Sequence, residues 1–238
     1  MKRVLVILGI IIIIAAIFFV TIGKPVAIKL LNRNTAAEHV VLVPGYGAPV
    51  SGNKTYEGYI ENVANYVFMK ENQVTVVIFT GSYSVLSELS EAEAMNQYFN
   101  SSLDITALQQ RGVRVYQERC AITSAQNISY SKDLLDEHKI FPERVTIFGD
   151  SAHKDKLVAT AEYEFSGASI DFQGYSLGAQ ANLLTDVKDL TELVTGYDSA
   201  KNYNKVLQER IKQWSTSYHY DVAANLVAKG CTQYKGFQ

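Results

Sequence analysis

The sequence predicts an α/β fold: a doubly wound, mostly parallel sheet flanked by helices, preceded by a transmembrane helix. Three observations predict it. Five short apolar or alternating runs recur along the chain, helical patterns separate them, and a long uncharged stretch opens it. Strands alternating with helices imply right-handed βαβ crossovers and parallel pairing. At 238 residues the chain is long enough for one large domain with a substantial core. The predicted organisation is an anchor over 1–23, a polar tether over 24–38 and a single α/β domain over 39–238.

The opening stretch, VLVILGIIIIIAAIFFVTIG (4–23), carries no charge and follows Lys2 and Arg3. At 1.5 Å per residue it spans about 30 Å, the hydrocarbon thickness of a bilayer. A cleaved signal peptide has a shorter apolar core and a small-residue cleavage site, which KPVAIK does not offer. An uncleaved single-pass anchor in the inner or plasma membrane is expected. Lys2 and Arg3 favour a cytoplasmic N-terminus and an extracytoplasmic domain, although Lys24, Lys29 and Arg33 flank the other side.

Strands are predicted at HVVLVPG (39–45), VTVVIFTG (74–81), RGVRVYQE (111–118), RVTIFGD (144–150) and GASIDFQG (167–174). Helices are expected near 57–70, 90–100, 125–138 and 153–165, with more within 185–230, where NKVLQERIKQW is clearest. Hydrophobic residues at 47% and charged residues at 19% argue against disorder. A net charge of −2 without Lys/Arg runs makes nucleic acid an unexpected partner. Cys120 and Cys231 sit in no C-x-x-C, so no metal site is expected, and their pairing is left open by the sequence.

In such a sheet, ligands bind beyond the carboxyl ends of the strands. Those ends read PGYGAPVSG, TGSYS, ERCAITSAQN, GDSAHKDK and GYSLG: all polar, glycine-bearing or both. Several of these residues also fit a local role. Thr123 and Gln126 make a capping box, Asp150 or Ser151 suits an N-cap, and Glu91 and Glu93 open a helix where the dipole favours anions. His153, in a first helical turn beside a glycine, is placed for proton transfer or for donating to an anionic oxygen. His39 and His138 read as surface residues. GYSLG also matches the G-x-S-x-G elbow, which would make Ser176 a nucleophile with His219 and Asp198 or Asp221; too little chain follows for the remaining strands.

As an ordered set, these motifs resemble the family of membrane-anchored envelope proteins that includes SanA, ElyC and YdcF. The resemblance covers roughly 39–175: VVLVPGYG, FTGS, SEAEAM, ERCAITSAQN and GDSAHKDK. It departs where Ser82 replaces a second glycine, where Lys156 stands in place of the usual Arg, and where TYEGYIENV lacks an opening Arg. It implies a Rossmann-like domain in cell-envelope or peptidoglycan maintenance. By position it implies His153, Glu118 and Glu91 as catalytic candidates. Gly45, Gly47, Gly81, Ser82, Ser124, Asn127, Ser151 and Lys156 would line a pocket for a small anionic or phosphorylated ligand. The chemistry expected is hydrolysis or group transfer; a non-catalytic binding or scaffolding module and the Ser176 hydrolase are the alternatives. The cofactor is left open: nothing suggests a tight metal site, and two carboxylates near His153 leave room for a divalent ion.

Overall fold

The computed structural model describes residues 37–46, 53–83, 88–102, 104–177, 211–212, 215 and 221–234. The anchor, the tether as far as residue 36, and Gly47 lie outside these residues, and the expected tether's last residue, Glu38, belongs to the first strand. No described helix is long and apolar enough to cross a membrane. All described residues but Ala37 belong to one unit, Glu38–Gln238.

Five parallel strands form the sheet: β1 (Glu38–Pro44), β2 (Val76–Thr80), β3 (Arg114–Glu118), β4 (Pro142–Asp150) and β5 (Ser169–Tyr175). Their spatial order is β3-β2-β1-β4-β5. The helices are α1 (Lys54–Phe68), α2 (Glu91–Ser102), α3 (Ile105–Gln110), α4 (Ser124–Glu137) and α5 (Lys154–Glu164), with α6 (Val222–Ala228) near the C-terminus. Each predicted strand and each of the first four predicted helices is present, displaced by a few residues at its ends. The short α3 was not anticipated, and most of NKVLQERIKQW lies outside the described residues.

The strand sequences follow from burial on both faces. Val41, Val43, Val77 and Phe79 pack under α1 and α2, against Tyr59, Ile60, Met95 and Phe99. Their neighbours Val40, Leu42, Val76 and Ile78 turn to the other side, against Ile128 and Leu135 of α4 and Leu157 of α5. A central strand covered on both sides has no polar face to present, hence the continuous apolar runs. The edge strands β3 and β5 are only half-buried. A third, smaller core joins Val222, Ala223, Leu226 and Cys231 of the C-terminal segment to Tyr83 and Ile122, beyond the carboxyl ends of β2 and β3. A disulfide between Cys120 and Cys231 ties this segment to the β3–α4 loop.

His39 corrects the surface reading. It is only 4% exposed, on the same face of β1 as Val41, with Tyr66 of α1 edge-on. Nδ1 lies 2.5 Å from the Asn72 carbonyl and so carries the proton, leaving Nε2 to accept from the Thr146 hydroxyl at 2.8 Å. Burial, with Arg144 adding to it, holds the imidazole below its ordinary value, and the Asn72 carbonyl opposes them. A histidine with a depressed folded pKa stabilises the fold fully above the unfolded value of about 6.5, and that contribution is lost as pH falls below it. The urea midpoint should therefore drop between pH 7 and pH 5, and the His39→Gln variant should drop less steeply. Parallel pH profiles for the two proteins would contradict this.

Candidate functional site

The strand order reverses direction at β1: one half of the sheet runs β1-β2-β3 and the other β1-β4-β5. Connections leaving β1 and β4 go to opposite faces, the arrangement that in open α/β sheets sets a ligand crevice at the carboxyl ends of the strands. Gly45 and Tyr46 line it from β1; Asp150, Ser151 and His153 line it from β4. The Tyr46 and His153 rings stack across it, centroids 5.5 Å apart and planes 6° from parallel. Below them, the fully buried Tyr59 hydroxyl lies 3.2 Å from both the Pro44 and the Phe148 carbonyls, pinning the ends of β1 and β4 together. Tyr56 and Tyr175 pack against Tyr59. Gly58 makes room for the group: a Cβ there would lie 2.6 Å from the Tyr175 hydroxyl.

Glu91, the first residue of α2, reaches the same crevice. A Cβ on Gly45 would lie 2.1 Å from Glu91 Oε2, and one on Gly81 would lie 2.9 Å from it. These glycines are needed so that the carboxylate can approach the backbone, and Gly81 also has a φ of +150°. Glu93 does the helix-capping work: it accepts from the Ser90 N–H at 2.8 Å while the Ser90 hydroxyl accepts from the Glu93 N–H at 3.1 Å, a reciprocal capping box. Arg119 pairs with its other oxygen.

Asp150 has the cap role expected of it. One oxygen accepts from the Ala152 N–H at 2.8 Å and the other from the Leu177 N–H at 3.0 Å, so the carboxylate ties the β4 and β5 ends together. Glu118 is occupied in a similar way. Oε1 accepts from the Cys120 N–H at 2.7 Å, and Oε2 accepts from the Ala121 N–H at 3.1 Å and the Thr80 hydroxyl at 2.8 Å. Burial pushes this carboxyl above the usual range, against the pull of those donors. Asn127 turns its carboxamide to the same Thr80 hydroxyl, 3.2 Å away, rather than capping its own helix. Thr123 caps α4, and Gln126 returns its side chain to the Ile122 N–H, one residue earlier than a standard box.

The predicted residues thus fall into two groups. Gly45, Gly81, Glu91, Ser151 and His153 gather around the β1–β4 crevice. Glu118, Asn127 and Ser124 belong to the β3–α4 turn, with Ser82 buried between them and α2. Ser151 is exposed, with its hydroxyl 3.5 Å from the Tyr175 carbonyl, whereas Lys156 is 5% exposed. Sequence reasoning missed Tyr46, Tyr56 and Tyr59. Ser176 follows edge strand β5, and Asp221 caps α6 through the Ala224 N–H; His219 and Asp198 lie outside the described residues. Among the described residues, no cluster of three His, Cys, Asp or Glu could hold a metal ion. No family model, curated protein or solved structure matches this chain.

Proposed function

We propose that the β1–β4 crevice binds a small phosphorylated or otherwise anionic ligand of the cell envelope, with His153 as the group that meets the anion. The observation that carries this reading is the Tyr46–His153 stack across the point where the strand order reverses. The carboxylates of Asp150 and Glu118 already take backbone N–H groups at the ends of β4 and β3. An anion is therefore directed to the outer side of the Ser151–His153 turn, where Ser151 and Lys154 are exposed beside the imidazole. Hydrolysis or group transfer on that ligand is the chemistry the reading entails, with His153 moving the proton. Turnover of a phosphate ester would separate it from a purely binding role.

Location belongs to the same proposal. The uncharged stretch 4–23 supports a membrane anchor, and a disulfide supports a domain held in an oxidising compartment outside the cytoplasm. The experiment is calorimetric titration of inorganic phosphate into the protein, with His153→Ala beside the wild type. Binding is expected to drop at least tenfold in His153→Ala, whose melting temperature stays near normal. Phosphate affinity equal in the two proteins would remove His153 from the site.

A further inference from the structure

Among the described residues, the large hydrophobic side chains most open to water are Phe68, Met69, Leu89, Phe141 and Tyr163. All but Leu89 belong to one end of the sheet. Strands that all run parallel send each connecting helix back to their amino ends, so α1 and α5 finish where the next strands begin. Phe68 is the last residue of α1 and Met69 its cap, Tyr163 is the second-last residue of α5, and Phe141 directly precedes β4. From β2 to β5 this edge covers three strand spacings, about 14 Å. Leu89 stands at the opposite end, just before α2.

The backbone at two of these positions is pinned. The Arg111 guanidinium donates to the Val67 and Phe68 carbonyls at 3.3 and 2.9 Å, fixing the end of α1 from the turn before β3. Phe141 stands between Ile140, whose N–H donates to the Leu135 carbonyl at 2.8 Å, and Pro142, the register partner of Glu38. Apolar groups held in water are unfavourable, and fixing them there lowers the entropy cost of ordering them against a partner. Charge does not choose that partner, since exposed Lys70 and Lys139 are interspersed with exposed Glu71, Glu137 and Glu143. The chain itself does. β1 begins on this edge at Glu38, and the uncharged run 4–23 lies upstream of it. Residues 24–37 between them reach at most about 50 Å when fully stretched.

We propose that this amino-end edge rests on the lipid surface, with Phe68, Met69, Phe141 and Tyr163 entering the headgroup region. This rests on the membrane-anchor reading of 4–23 and is independent of the anion reading of His153. Apolar and aromatic side chains gain burial at that depth while their polar neighbours stay wet, and the balanced charge requires no anionic lipid. The β1–β4 crevice lies at the other ends of the same strands, about 20 Å along β1. It then opens away from the bilayer, and its ligand arrives through water rather than from the headgroups of the same membrane.

The test uses the full chain in phosphatidylcholine vesicles. Its single tryptophan, Trp214, is changed to Phe, and a new one is introduced in turn by Phe68→Trp, Phe141→Trp and Leu89→Trp. Each protein is reconstituted into ordinary vesicles and into vesicles whose acyl chains carry bromine near the headgroup, which quenches tryptophan on contact. Emission from positions 68 and 141 should fall by about half or more in the brominated vesicles, equally at low and high salt, while emission from position 89 stays unchanged. All three sites are exposed, so melting temperatures should stay near that of the wild type. Undiminished emission from 68 and 141, in protein that floats with the vesicles, would overturn the proposal and leave the anchor standing. Quenching at 89 as strong as at 68 would overturn it as well, with the crevice turned toward the lipid. Protein that does not float with the vesicles would end the anchor reading and this inference with it.

Discussion

Reducing the Cys120–Cys231 disulfide is expected to destabilise the α/β unit by about 2–5 kcal/mol. The two cysteines lie 111 residues apart in sequence, so the bridge removes a large closure entropy from the unfolded chain. In the folded protein it holds the C-terminal segment on Tyr83 and Ile122, a core of five buried residues that would not close on its own. Urea unfolding with and without a thiol reductant measures the effect, and the Cys120→Ser/Cys231→Ser double variant, already reduced, should show no response to the reductant. A midpoint that does not move in the wild type would mean that apolar contacts alone retain the segment. The same bridge reports location. In cells quenched with acid and treated with maleimide, both cysteines should resist alkylation until reduced; free thiols would place the domain in a reducing compartment.

The second large effect belongs to Glu118. Removing its carboxylate in Glu118→Ala strands the Cys120 and Ala121 N–H groups and deprives the Thr80 hydroxyl of its nearer acceptor. At about 1–3 kcal/mol for each buried donor left unmatched, the loss should reach roughly 3 kcal/mol. Glu118→Gln, which keeps one acceptor oxygen, should fall between Ala and the wild type. His153→Ala makes the contrast, with its expected near-normal melt and lost phosphate binding. Were Glu118→Ala to melt normally and yet lose phosphate, Glu118 would join His153 as a ligand-contacting group and the hydrogen bonds at the turn would be incidental.

Much of the sheet was legible because its central strands are buried on both faces. A run such as VVIFT admits little else once a glycine ends it. What the sequence hid was tertiary. ITALQQ is too short to show helical periodicity, so α3 went unread. His39 opens a strand, and nothing local says that Tyr66 and Thr146 will enclose it. The crevice residues were partly visible, since Gly45, Glu91 and His153 sit at strand ends or helix starts. Tyr46 is one residue of a glycine turn, and Tyr56 and Tyr59 sit at and just inside the start of the expected helix with nothing local to set them apart. Their meeting depends on β1 lying beside β4, a pairing across roughly a hundred residues that periodicity does not encode. Glu118 was read as chemistry because strand-end position alone cannot distinguish a carboxylate facing a ligand from one facing backbone amides.

The bridge that closes on Cys231 also sets an order of events during synthesis. At typical elongation rates, the residues between Cys120 and Cys231 take about ten seconds to appear. Every strand and the β3–α4 turn are complete in that interval, while Cys120 waits as a solitary thiol beside a finished edge. A nascent chain in an oxidising compartment is exposed then to pairing with another chain. Cys231 therefore acts as the chain's own quencher, and a product lacking it would be left with a reactive sulfur and a tendency to cross-link.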